Sequence, residues 1–142
     1  KMLLNISYKN PKQKSQIEKA VGKPFSLSKR LSLRGIGSRK LRISSTSIDI
    51  HNLLVLDNNL DYCNIELRPK GIIVRFRSLL ETYGLIIPYH KLKIYKGKAQ
   101  EYSIYMDQYF IKVLADKEEI HKFFKKINFQ KNLNSSNYLG DK

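Results

Sequence analysis

Between residues 63 and 127 the hydrophobic period of this chain changes once, from two to 3.6. Cys63, Ile65 and Leu67 alternate with Asn64, Glu66 and Arg68, and Ile72, Val74 and Phe76 alternate with Ile73, Arg75 and Arg77. Alternation of this kind puts one side chain in two on each face of a strand, and Pro69-Lys70-Gly71 supplies the turn, so the pair predicts a hairpin. Leu85, Ile87 and Tyr89 form a third alternating set, in which Pro88 marks a strand end or an edge because it cannot donate to a ladder. Leu92 and Ile94 continue the apolar face. Tyr102, Ile104 and Met106 then meet Tyr109, Ile111 and Val113 across Asp107-Gln108, a link short enough only for a tight antiparallel connection.

The period then lengthens. Ile120, Phe123, Phe124 and Ile127 recur at i, i+3, i+4 and i+7 and predict an amphipathic helix over 116–127. Asp116 is its candidate N-cap, Glu119 suits the positive end of its dipole, and Lys122, Lys125 and Lys126 lie towards the negative end. Six short strands and one closing helix predict a mainly β, β-rich α+β fold. Residues 48–56, IDIHNLLVL, are apolar enough to predict one further strand ahead of the hairpin, and Lys131 to Lys142 reads as a polar, frayed tail.

Charge divides the chain differently. The net charge is +15, and residues 1–45 carry 12 Lys and Arg against the single acid Glu18, whereas residues 46–142 carry 15 against 11. The N-terminal third is therefore the basic part. Within it, residues 12–21 predict a short helix with Ile17, Ala20 and Val21 on one side, opened by Pro11 and bounded by Gly22 and Pro24. The stretch SLSKRLSLRGIGSRKLRIS follows, with Lys29, Arg30, Arg34, Arg39, Lys40 and Arg42 spaced among leucines and no acid between Lys23 and Arg42. It fits an irregular basic arm, an extra strand, or a segment that orders against a partner. All seven arginines fall between Arg30 and Arg77, and the planar donor fork of arginine suits phosphate or carboxylate.

Catalytic patterns are not legible. His51, His90 and His121 share no HExxH or Cys-His spacing, and Asp57, Asp61 and Asp107 sit at turn-like positions. Gly35-Ile36-Gly37 and Gly22-Lys23 lack the remaining glycines of a phosphate loop. Cys63 is the single cysteine, which excludes an intramolecular disulfide and reads as a buried thiol. The expectation is a non-enzymatic protein with no metal and no cofactor. No apolar run reaches the ~20 residues of a membrane span and the first residues lack a secretory leader, so a cytoplasmic location, or one peripheral to a membrane, is expected.

The strand-rich pattern, the stretch GLIIPYHKLKIY at 84–95 and the helix at 116–127 together resemble pleckstrin-homology-like barrels. The resemblance implies seven strands in two nearly orthogonal sheets, with the C-terminal helix plugging one open end. It implies a division into a basic arm at 1–45, a barrel with its helix at 46–130 and a tail at 131–142, with 48–56 as the first barrel strand. Lipid-binding members often carry a K-Xn-(K/R)-X-R pattern, which Lys70, Arg75 and Arg77 fit. Lys29, Arg30, Arg34, Arg39, Lys40, Arg42, Lys70, Arg75 and Arg77 are therefore the candidate residues for an acidic or phosphate group. The partner expected is an acidic protein or the anionic lipid headgroups of a membrane, with Leu27, Leu31 and Leu33 available for apolar insertion. Nucleic acid is the alternative, with Tyr95, Tyr102 and Tyr105 as stacking faces, and self-association into a homo-oligomer stays open.

Overall fold

The computed structural model describes residues 3–56, 61–98 and 100–140. Asp57, one of the turn-type acids, lies outside them. The six predicted strands are all present: β3 (Tyr62–Arg68), β4 (Gly71–Ser78), β5 (Glu81–Pro88), β6 (Lys93–Gly97), β7 (Glu101–Met106) and β8 (Tyr109–Leu114). Two more precede them, β1 (Leu3–Asn5) and β2 (Leu41–Thr46). The antiparallel order is β1-β5-β4-β3-β2-β8-β7-β6. The fold is mainly β with a C-terminal helix.

Strand β2 joins the two halves of this order. Leu41 and Arg42 pair with Cys63 and Tyr62 of β3, whereas Ile43, Ser45 and Thr46 pair with Val113, Lys112 and Ile111 of β8, with a bulge between Ile43 and Ser45. A bulge bends a strand, so one short element can serve two partners. Part of the basic segment is thus a central strand, and a boundary at 45/46 would cut through it.

The expected strand at 48–56 is instead a helix, α3 (Ile48–Leu54). Short apolar runs satisfy either period, and here the buried residues are Ile50 and Leu54, with Leu53 packed against the core, which is helical spacing. Asp49 lies in the first turn, the favourable end for an acid. Ser47 anchors the start, because its N–H donates to the Phe110 carbonyl and its Oγ accepts from the Phe110 N–H, both at 3.0 Å.

The final helix, α4, runs over Glu118–Gly140, so the segment from Lys131 to Gly140 continues it and is not a frayed tail. Its predicted stripe is buried: Ile120, Phe123, Phe124 and Ile127 pack into one core with Val74, Phe76, Ile104 and Ile111. Phe124 stacks on Tyr102 at a centroid distance of 4.0 Å. The helix begins two residues after Asp116, and the Glu119 carboxylate accepts from Arg39 Nη1 at 3.0 Å, so Glu119 serves a distant arginine.

Two helices come from the N-terminal third, α1 (Pro11–Val21) and α2 (Leu27–Ser32). Asn10 caps α1 by accepting from the Gln13 N–H at 3.2 Å, and Pro11 follows at the first helical position, where its missing donor costs nothing. Val21 then packs with Ile73 and Ile86 on the outer face of β4 and β5, with Ile17, Ala20 and Leu4 around them. This second, smaller core explains why β4 and β5 are apolar on both faces at one end. It also fixes where the sheet stays uncovered.

Candidate functional site

Strand alternation builds the uncovered end. Leu41, Ile43, Cys63, Ile65, Val74 and Phe76 point into the main core, so Arg42, Tyr62, Asn64, Arg75 and Arg77 point the other way. The register sets them side by side, with Arg42 opposite Tyr62, Asn64 opposite Arg75, and Arg77 opposite Thr82. Lys40 completes the group, its Nζ lying 4.9 Å from the centroid of the Tyr62 ring, within cation–π range. Lys40, Tyr62, Arg75, Arg77, Thr82 and Asp61 line an open cleft of about 1010 Å³.

Four of the nine candidate cations therefore meet on one face: Lys40, Arg42, Arg75 and Arg77. One is already paired. Arg75 Nη1 lies 2.6 Å from Glu66 Oε1, and Arg68 Nε lies 2.7 Å from Glu66 Oε2, while Arg68 Nη1 also donates to the Gly22 carbonyl at 2.8 Å. Burial alone would push the Glu66 carboxyl up, but its bonds to Arg68 and Arg75 and their charges outweigh burial and hold it below its ordinary value of 4.5. Among the described residues Lys40, Arg42 and Arg77 have no acidic partner within salt-bridge distance.

The Glu66 pair carries a pH signature. A carboxyl whose native value is depressed adds stability that is complete above the ordinary value and is lost as the pH falls through the native one. E66Q should lower stability by about 2 kcal/mol near neutrality, since it leaves the buried Arg68 without a countercharge. It should also flatten the acid limb of unfolding midpoint against pH below 4.5. Equal acid limbs in E66Q and the wild type would show that the triad contributes nothing.

Two other candidates lie elsewhere. Arg34 and Arg39 border a second cleft, of about 570 Å³, between residues 33–41 and α4, together with Lys122, Phe123 and Lys126. Arg34 sits just past α2 with φ 60°, its N–H donating to Leu31 and that of Gly35 to Arg30, a Schellman closure with arginine where glycine is usual. Lys126 Nζ bonds the exposed Arg34 and Gly35 carbonyls at 3.5 and 3.1 Å. Desolvation, then the Arg34 charge, lowers the Lys126 pKa.

The remaining three are apart. Lys29 and Arg30 ride on α2, whose Leu27 and Leu31 are exposed. Lys70 occupies the β3–β4 turn, five residues from Arg75, roughly 16 Å along an extended strand. Its N–H donates to the Val21 carbonyl and its carbonyl accepts from Tyr89, so this turn is bonded on both sides and cannot wrap a phosphate. The spacing of Lys70 with Arg75 and Arg77 is thus met in sequence but not in space.

Other chemistry is accounted for locally. Cys63 is buried, which pushes its thiol up to about 12. His121 Nδ1 and the Tyr102 hydroxyl share a hydrogen bond of 3.0 Å, and neither cleft is lined by a histidine. Tyr102, buried between Phe124 and His121, cannot stack on a base, whereas Tyr95 is exposed. Among the described residues no group of His, Cys, Asp or Glu is placed to hold a metal, and no helix is long and apolar enough to cross a membrane.

Sequence reasoning passed over Tyr62, which Lys40 covers, and the Leu79-Leu80 pair at the open end of the cleft. The leucines carried a readable signal: two apolar residues at a turn between two alternating runs. Comparison of the chain with protein-family models, with curated proteins and with solved structures finds no match.

Proposed function

We propose that this chain is a non-enzymatic binding module of the pleckstrin-homology-like kind whose partner presents an acidic surface. The observation that carries the reading is the convergence of Lys40, from the basic N-terminal segment, with Arg75 and Arg77 of β4 around one open cleft, with Arg42 on the same face of the sheet opposite Tyr62. The two pairs are 33 or more residues apart in sequence, and nothing in core packing requires cations at all four outward positions. Seven strands, β2 to β8, meandering in two halves joined at the β2 bulge, with α4 buried along its stripe, support the barrel part of the reading. Strand β2, and not residues 48–56, then opens the barrel.

The test is amide chemical-shift mapping of the full chain with a polyglutamate peptide. Shifts concentrated at residues 40–42, 62–64 and 75–77, weakening as salt is raised, are expected. No binding, or shifts confined to α2 and α4, would overturn the assignment of this face. A single-stranded oligothymidylate run in parallel carries the nucleic-acid alternative, and tighter binding of the oligonucleotide at matched charge would transfer the function to it.

A further inference from the structure

We propose that the β4–β5 hairpin tip inserts Leu79 and Leu80 into the acyl boundary of an anionic membrane leaflet, with Arg77, Lys40 and Arg42 resting on the headgroups. This deepens, and rests on, the acidic-surface reading above. The tip is a two-residue link whose first residue has φ > 0, a position where glycine is usual. Here Leu79 holds φ 58°, a left-handed conformation that strains a leucine, and Leu80 is 88% exposed. Two leucines at this corner cost the protein both backbone strain and hydrated apolar surface. Neither cost serves the core, because neither side chain is in it.

Ser78 Oγ donates to the Leu53 carbonyl at 2.5 Å, which ties the last turn of α3 beside the hairpin. Just beyond Leu53 stand Val55 and Leu56, each 57% exposed. Leu79 and Leu80 at the tip, and Val55 and Leu56 after α3, are thus exposed aliphatic residues on two elements joined by that bond. The cations are placed next to them: Arg77 Nη2 donates to the Leu79 carbonyl at 3.4 Å, and Lys40 lines the same cleft as both leucines. Apolar groups in front with cations one layer behind match the depth profile of an anionic leaflet, whose acyl boundary lies a few ångströms below its charged headgroups. An acidic protein groove would ask for cations at the tip itself. Because Arg75 is held by Glu66 and Asp61 lies at the cleft edge, the face senses charge density and not the stereochemistry of one headgroup.

The experiment uses the full chain with vesicles of phosphatidylcholine alone and of phosphatidylcholine and phosphatidylserine at about 7:3. The wild type should sediment with the anionic vesicles only. The chain contains no tryptophan, so L80W makes position 80 the sole indole, whose emission should shift to the blue with anionic vesicles and stay unchanged with neutral ones. The double variant L79N/L80S puts turn-compatible residues at the tip, so its melting temperature should equal or exceed that of the wild type by a few degrees, while its vesicle affinity drops about tenfold. Wild-type affinity in a folded L79N/L80S, or no blue shift in an L80W protein that sediments, would overturn insertion. Polyglutamate binding without vesicle binding would overturn the membrane proposal and leave the acidic-surface reading standing, whereas loss of both would remove the two together.

Discussion

Reversing charge at Lys40 and Arg77 together, as K40E/R77E, should reduce affinity for polyglutamate about a thousandfold and abolish measurable binding near physiological salt. The two cations line one cleft and are not paired to an acid among the described residues, so their full charge is available to a partner. A cation close to an acidic surface contributes about 1 kcal/mol, and the double reversal changes the local charge by four units, which amounts to about 4 kcal/mol. Both side chains are exposed and outside the core, so the unfolding midpoint should move little. The same reversal at Lys96, on edge strand β6, is the control, and screening beyond a Debye length of about 8 Å should hold its effect to about twofold. Isothermal titration of the three proteins against salt decides the matter. Equal losses in K96E and K40E/R77E would mean that net charge, and not this face, drives binding.

The second large effect is structural. G71A should destabilise the protein by about 3 kcal/mol and lower its melting temperature by about 10 °C. Gly71 opens β4 directly after the Pro69-Lys70 turn, and a Cβ there would lie 2.6 Å from Val21 Cγ1 and 2.9 Å from Pro88 Cα, as well as against the Ile87 carbonyl. Two of those obstacles are backbone of the paired strand β5, which cannot move without breaking the register of Gly71 with Pro88. The third belongs to α1, so the substitution would lift the helix that covers Ile73 and Ile86. Differential scanning calorimetry measures the shift. A midpoint within a degree of wild type would show that α1 rides loosely on the sheet.

Both predictions turn on how α1 divides the outer face of the sheet, and that division was only half legible beforehand. The alternation of Ile72, Val74 and Phe76 with Ile73, Arg75 and Arg77 marks two faces, and the helical spacing of Ile17, Ala20 and Val21 marks an element needing a partner. Nothing in either segment says that they meet. Val21 reaches Ile73 because the end of α1 is fastened to the β3–β4 turn by the Arg68–Gly22 and Lys70–Val21 bonds, contacts that cross more than 40 residues. The stretch 48–56 shows the reverse case. Its period was ambiguous over nine residues, and the contacts of Ser47 with β8 and of Leu53 with Ser78 place it as a helix.

What the residues determined alone was local: six strands from a period of two, α1 and α4 from a period of 3.6, and turns at Pro69-Lys70 and Asp107-Gln108. These follow from steric preferences and face-by-face hydrophobicity that act within a few residues. Tertiary structure alone decided which of nine candidate cations lie on one face. It drew Lys40 and Arg42 beside Arg75 and Arg77, spent Arg39 on Glu119, left Lys70 at the far turn, and set Leu79 and Leu80 beside the cationic cleft. The physical reason is that charge carries no period. Solvated side chains leave no pattern along the chain, and only the register of strands distant in sequence brings them to one face.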